Sequence, residues 1–214
     1  MARSYPSRRR QTGPLAAQMM AALSEVFQRA LADLERFRLA SALIGGVAVG
    51  ARATERLTRD VDLAVAVQDD REAENAVREL SGAGYLVEVL LENTATGRLA
   101  TVRLLSPLDQ STRVDLLFAS CGIEPEIVAA AETLDLLGRS CRVATRGHLI
   151  ALKVLSRSER RPQDDLDLAA LLPDAAPADL DVARSGLDLI TARGCARDKN
   201  LAREFDDAMA RWKR

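Results

Sequence analysis

The stretch Ile44-Gly45-Gly46-Val47-Ala48, followed by Asp60-Val61-Asp62-Leu63-Ala64-Val65, decides how this chain is read. The apolar segment 39–44 runs into two glycines, and a short helix is expected over 47–53. Glycines let a backbone approach a ligand closely, and the first amides of a helix have no partner within it. Such amides suit phosphate. Residues 61–67 are β-rich and predict a strand. Asp60 and Asp62, two apart, then share one face of that strand. Adjacent carboxylates repel, and a bound divalent cation removes the cost. Oxygen-only ligands favour Mg2+ or Mn2+. Strand alternation alone would also put the pair on a wet face. Other acid-x-acid pairs, such as Glu72/Glu74 and Asp179/Asp181, fall in helix-like segments and read as solvated charges.

A second stretch, Arg113-Val114-Asp115-Leu116-Leu117-Phe118, embeds one acid in a short apolar strand. Solvation explains such an aspartate poorly. If this strand lies beside the one carrying Asp60 and Asp62, Asp115 reaches the same site. Lys153 is expected within a helix, among Leu149, Ile150, Leu152, Val154 and Leu155. It is one of only three lysines in a chain rich in arginine. Such a lysine either snorkels to the surface or serves as a point charge for phosphate.

Around these stretches the pattern is regular. Leu15, Met19, Leu23, Val26, Phe27, Ala30, Leu31 and Leu34 recur at helical spacing and predict an amphipathic helix over 14–37. A helix over 69–81 is expected to stop at Gly82 and Gly84. Strands are expected over 85–91, 99–105 and 113–118, a short helix over 125–131, and one or two short strands within 134–143. Helices follow over 148–158, 163–172, 178–192 and 199–213. The fold class is therefore α/β (α+β), with a mixed-sheet core followed by a helical C-terminal half. The expected organisation is a basic tail (1–13), a core with its N-terminal helix (14–138), and a mainly helical region (139–214).

Composition narrows the function. The 214 residues are 48% hydrophobic and 29% charged, which excludes a mainly disordered chain. No run nears the 18 or so apolar residues of a membrane span, and the arginine-rich start has no signal-peptide core behind it. A cytoplasmic protein with no membrane partner is expected. Cys121, Cys141 and Cys195 form no Cys-x-x-Cys pair, and His148 is the only histidine. Histidine metal cages and most catalytic triads are thereby excluded. The net charge of −1 conceals opposed regions: +6 over 1–59, −10 over 60–138, +6 over 139–161 and −3 over 162–214. The acidic block holds the candidate metal ligands, and the basic blocks hold the glycine pair and Lys153, so an RNA acceptor stays open.

At these residues the chain resembles the polymerase-β-type nucleotidyltransferase superfamily. Gly45-Gly46, Asp60-Val61-Asp62 and the later Asp115 look like its signature. The Gly-Gly form and the run Arg56-x-Thr58-x-Asp60-x-Asp62 are similar to the AbiEii-like (type IV toxin) branch. So are Leu149-Ile150-Ala151-Leu152-Lys153 and the segment from Arg160 to Leu168, where Lys153 matches the branch's lysine and Asp164 and Asp167 its two aspartates. Two positions depart from the pattern. Gly46 replaces the serine of many members, removing a hydroxyl contact to the triphosphate. Gln163 stands where the branch carries Lys or Arg.

The resemblance implies transfer of a nucleoside monophosphate from an NTP to an acceptor hydroxyl, with release of pyrophosphate. Asp60 and Asp62 would hold two ions, and Asp115 would ligate the second and could take the acceptor's proton. Gly45, Gly46 and Lys153 would position the β- and γ-phosphates. Arg56 and Arg59 flank the carboxylates and either contact phosphate or are solvated at the strand end. Asp164 and Asp167 either orient Lys153 or the arginines nearby, or serve as helix N-terminal acids. The expected acceptor is RNA, such as tRNA, or protein, for a toxin with a cognate antitoxin or in phage defence. An aminoglycoside-type small-molecule transferase, or a non-catalytic nucleotide-binding or antitoxin-like module of the same fold, remains the alternative.

Overall fold

The structure is a computed structural model that describes residues 14–54, 58–94 and 96–213. The basic segment 1–13 and Arg56 lie outside the described residues. Among the described residues, seven strands form one mixed sheet in the order β3-β4-β5-β2-β1-β7-β6. They are β1 (Ser41–Ile44), β2 (Asp60–Val65), β3 (Leu86–Glu92), β4 (Leu99–Leu105), β5 (Arg113–Leu117), β6 (Glu132–Leu136) and β7 (Arg139–Val143). β1 pairs antiparallel with β2, while β2 pairs parallel with β5.

The helices are α1 (Pro14–Arg36), α2 (Gly45–Arg52), α3 (Asp70–Gly82), α4 (Glu124–Ala130), α5 (Arg146–Ser156), α6 (Pro162–Leu171), α7 (Pro177–Ala192) and α8 (Leu201–Trp212). The apolar stripe of α1, including Leu23, Val26, Phe27, Ala30 and Leu34, is buried in the core. Val61, Leu63, Val114 and Leu116 of the central strands join the same cluster. α3 starts on a side-chain cap, Asp69 accepting from the Glu72 N–H at 2.9 Å, and buries Ala73, Ala76 and Leu80.

Two sequence expectations shift. The helix after the glycine pair starts at Gly45 itself, not at Val47. The expected boundary at residue 138 falls within the β6–β7 hairpin, and β7 pairs with β1 inside the sheet. The helical part therefore begins at Arg146. That residue also ties the two parts together, donating to the Leu171 carbonyl at 2.9 Å and to the Arg52 carbonyl, at the ends of α6 and α2.

β3 closes one side of the sheet as an edge strand. Leu86, Val87, Val89, Leu90 and Leu91 are all exposed on it, and its pairing with β4 shifts register at Val87/Val89 and at Leu91/Glu92. None of the helices is long and apolar enough to cross a membrane among the described residues.

α5 runs through the helical half with Leu149, Ile150, Ala151, Val154 and Leu155 buried. Its contact with α7 depends on Gly147, where a Cβ would stand 2.4 Å from the Asp179 carbonyl oxygen and 2.7 Å from the Val182 Cβ. Backbone cannot yield as a flexible side chain can. Gly147→Ala is expected to lower the unfolding free energy by about 1–3 kcal/mol, read from urea unfolding.

Candidate active site

Register builds the site. Asp62 lies opposite Asp115 in the parallel β2–β5 pair, and Arg103 lies opposite Asp115 in the antiparallel β4–β5 pair. Arg103, Asp115 and Asp62 therefore form a row across three strands on one face, with neighbouring strands about 4.8 Å apart. Asp60 and Arg113 are paired two residues along. The sheet thus brings together Asp60, Asp62 and Asp115, on the face where β1 delivers the glycine pair.

The approach of that pair is close. Ile44 is opposite Asp62 in the β1–β2 ladder, and the chain turns into α2 at Gly45, whose φ is +63. A Cβ at Gly45 would meet Asp62 Oδ2 at 1.9 Å, so only glycine fits. The Gly46 N–H lies close enough to the Asp62 carboxylate to favour its charged form. No side chain of the N-cap residue, Ile44, bonds the first turn of α2, which leaves that turn uncapped.

Asp62 sits in a demanding environment. Burial, with the neighbouring carboxylates of Asp115 and Asp60, pushes its carboxyl up to about 6. The charge of Lys153 and the Gly46 N–H oppose that rise. Lys153 Nζ is itself held by Asp164 Oδ1 at 3.0 Å and Asp167 Oδ2 at 2.8 Å, with both carboxylates buried. Gln163 donates to Asp167 at 3.1 Å, and Arg161 lies 3.4 Å from Asp164. The helical half thus presents Lys153 to Asp62 on a firm mount of two acids. Arg59 is exposed, its guanidinium 4.0 Å from Met19 Sδ.

Sequence reasoning missed Arg103. Its fork donates to both oxygens of Asp115, at 2.8 and 2.7 Å. This contact holds the Arg103 guanidinium above its ordinary range. Arg113 is likewise paired, with Glu88 of β3 at 2.9 Å. The outward phase of Arg103 was legible, since Thr101, Arg103 and Leu105 alternate with buried Val102 and Leu104. Its register against Asp115 was not.

The fit to divalent cations divides here. Asp60 and Asp62 carry like charges with an unmet need for positive charge, which fits one cation. Asp115 has both oxygens engaged by Arg103, and no group of three or more His, Cys, Asp or Glu side chains is gathered to hold a metal among the described residues. Beside the site, a cavity of about 340 Å3 opens between α1, α2 and the β6–β7 turn, lined in part by Gly46, Gly50, Thr58, Met20 and Asp135. That is the size range of small-molecule sites.

No family model matches the chain, and no curated protein matches it. Among solved structures it is similar to an antigenic nucleotidyltransferase-like protein from Paracoccidioides brasiliensis, at 16% identity, covering 89% of this chain and 93% of that one, with a TM-score of 0.49. It is also similar to ANT(2'')-Ia in complex with adenylyl-2''-tobramycin (16% identity, 88% and 98% covered, TM-score 0.46). A third likeness is to the lincomycin-bound lincosamide antibiotic adenylyltransferase LnuA (14% identity, 78% and 96% covered, TM-score 0.42).

The environment of Asp62 has a consequence for stability. Its carboxyl titrates near 6 in the folded chain against an ordinary 3.8, so the folded state holds more protons between those values. Its contribution to stability is full below about pH 4 and is lost as pH rises through 6. The gap of about two units corresponds to roughly 3 kcal/mol. In chelator-treated protein, Asp62→Asn is expected to raise the unfolding free energy by about 2–3 kcal/mol at pH 8 and to leave it unchanged at pH 4. Urea unfolding at the two pH values measures this.

Proposed function

We propose that this chain is a nucleotidyltransferase of the AbiEii-like kind, moving NMP from an NTP to an acceptor hydroxyl and releasing pyrophosphate. The observation that carries the reading is the meeting of Asp60 and Asp62 with the uncapped start of α2 at Gly45-Gly46, beside Lys153. Carboxylates that need a cation stand against amides that suit phosphate, with a fixed positive charge next to both. Phosphoryl-type transfer asks for positioning and charge neutralisation, which these groups supply.

In this reading Asp60 and Asp62 hold Mg2+ or Mn2+, which when bound screens the triphosphate and lowers the acceptor hydroxyl's pKa. Gly45 and Gly46 bring backbone to the β- and γ-phosphates, as close as the missing side chains permit. Lys153, held by Asp164 and Asp167, lends its charge to the phosphates. Arg59, exposed beside Asp60, contacts phosphate at the rim. The acceptor oxygen bonds to the α-phosphorus as the bond to the β-phosphate bridge breaks, its proton passing to water and pyrophosphate leaving. The acceptor is RNA, such as tRNA, or protein, and the biological role is that of a toxin with a cognate antitoxin or of phage defence.

Incubation with each α-labelled NTP, Mg2+ and either total RNA or cell protein is expected to label one acceptor. Asp62→Asn and Gly45→Ala are expected to lower that labelling at least 100-fold, on the order of losing a principal transition-state contact. Absence of labelling with all four nucleotides would overturn the catalytic reading, and labelling only of an added aminoglycoside would move the acceptor to small molecules.

A further inference from the structure

We propose that Arg103 stands in for one of the two divalent cations expected on such a carboxylate set, so that this chain works with a single cation, at Asp60 and Asp62. The inference rests on the nucleotidyltransferase reading and makes it more specific.

Three observations carry it. The first is geometric. Arg103 and Asp115 are direct cross-strand partners, and the guanidinium fork takes both Asp115 oxygens at 2.8 and 2.7 Å. A bidentate, charge-assisted pair of this kind is among the strong polar contacts of proteins. A cation seeking Asp115 would first have to remove it. The second is burial. The Asp115 side chain is 10% exposed and that of Arg103 38%, so the carboxylate end of the pair is shielded while the guanidinium reaches the surface.

The third observation is the distribution of charge. Of the three carboxylates on this face, Asp115 is neutralised by Arg103, which leaves Asp60 and Asp62. One divalent ion balances those two. Of the positive groups described nearby, Lys153 is engaged with Asp164 and Asp167 and Arg113 with Glu88, while Arg59 is exposed just before β2. Arg103 keeps its charge at every working pH and cannot dissociate as an ion does. It therefore supplies fixed positive charge at the Asp115 end of the row, and Asp115 serves as its anchor.

Mn2+ binding tests this on the whole chain with a non-hydrolysable α,β-methylene NTP analogue present. Titration calorimetry gives the stoichiometry. Electron paramagnetic resonance separates a lone ion from a spin-coupled pair about 3.5–4 Å apart. The parent chain is expected to take up one Mn2+ per chain and to show an uncoupled spectrum. Arg103→Met, which frees Asp115, is expected to bind two with a coupled signal. Arg103→Met combined with Asp115→Asn is expected to return to one. If the methionine variant does not fold, Arg103→Gln keeps a hydrogen bond to Asp115 without the charge and is expected to bind two.

Two Mn2+ in the parent chain would overturn the substitution by Arg103 while leaving the nucleotidyltransferase reading intact. A count that stays at one in a folded single variant at Arg103 would do the same. Binding of neither Mn2+ nor the nucleotide analogue by any of the proteins would overturn both.

Discussion

The contact of Gly45 with Asp62 fixes the rest of the site. β1 and β2 are antiparallel neighbours, and Ile44 stands opposite Asp62. Any chain leaving β1 must therefore pass over that carboxylate. It can do so only because Gly45 has no Cβ and accepts a φ of +63. The start of α2 is then pressed against Asp62, with the Gly46 N–H near the carboxylate. This geometry raises the Asp62 carboxyl, because the turn removes water from it. Buried carboxylates and the uncapped start of a helix are thereby brought together by one turn.

The sequence carried the carboxylates well, because strand periodicity is local. Asp60 and Asp62 share a face by spacing alone, and an acid among Val114, Leu116 and Leu117 has few bland explanations. The mixed sheet and the helical C-terminal half were legible for the same reason, since each long helix shows its own apolar stripe. What was not legible is register. Nothing in the residues 99–105 says that Arg103, rather than Thr101, lands opposite Asp115. The boundary near 138 was hidden because β6 and β7 are five residues each and half polar, too short for periodicity to reveal their place in the sheet. The start of α2 was hidden because glycine is a poor helix former, and only its positive φ explains its position.

The scarcity of lysine acquires a physical content. Lys153 bridges two buried carboxylates. Lys199 donates to the Leu155 and Arg157 carbonyls at the end of α5, the helix that carries Lys153. Lys213 donates to the Pro173 and Ala175 carbonyls just past α6. In each case a compact ammonium with three donors meets two or more oxygens converging on one point, a geometry that a planar guanidinium matches less well. In this arginine-rich chain the three lysines thus sit where converging oxygens suit an ammonium.

The edge strand β3 has a consequence for how this sheet ends. Five exposed apolar residues beside a free row of backbone groups make a template on which another strand could settle. Neither lysine nor proline interrupts it. Its two breaks in register do so instead, bending the strand and disturbing the ladder at Val87/Val89 and Leu91/Glu92. Any added strand would find only a few aligned hydrogen bonds between the breaks. Growth of the sheet is thus opposed by a flaw in its outermost ribbon together with the charges of Glu88 and Glu92. Smoothing that flaw would turn a tolerated edge into a seed for assembly.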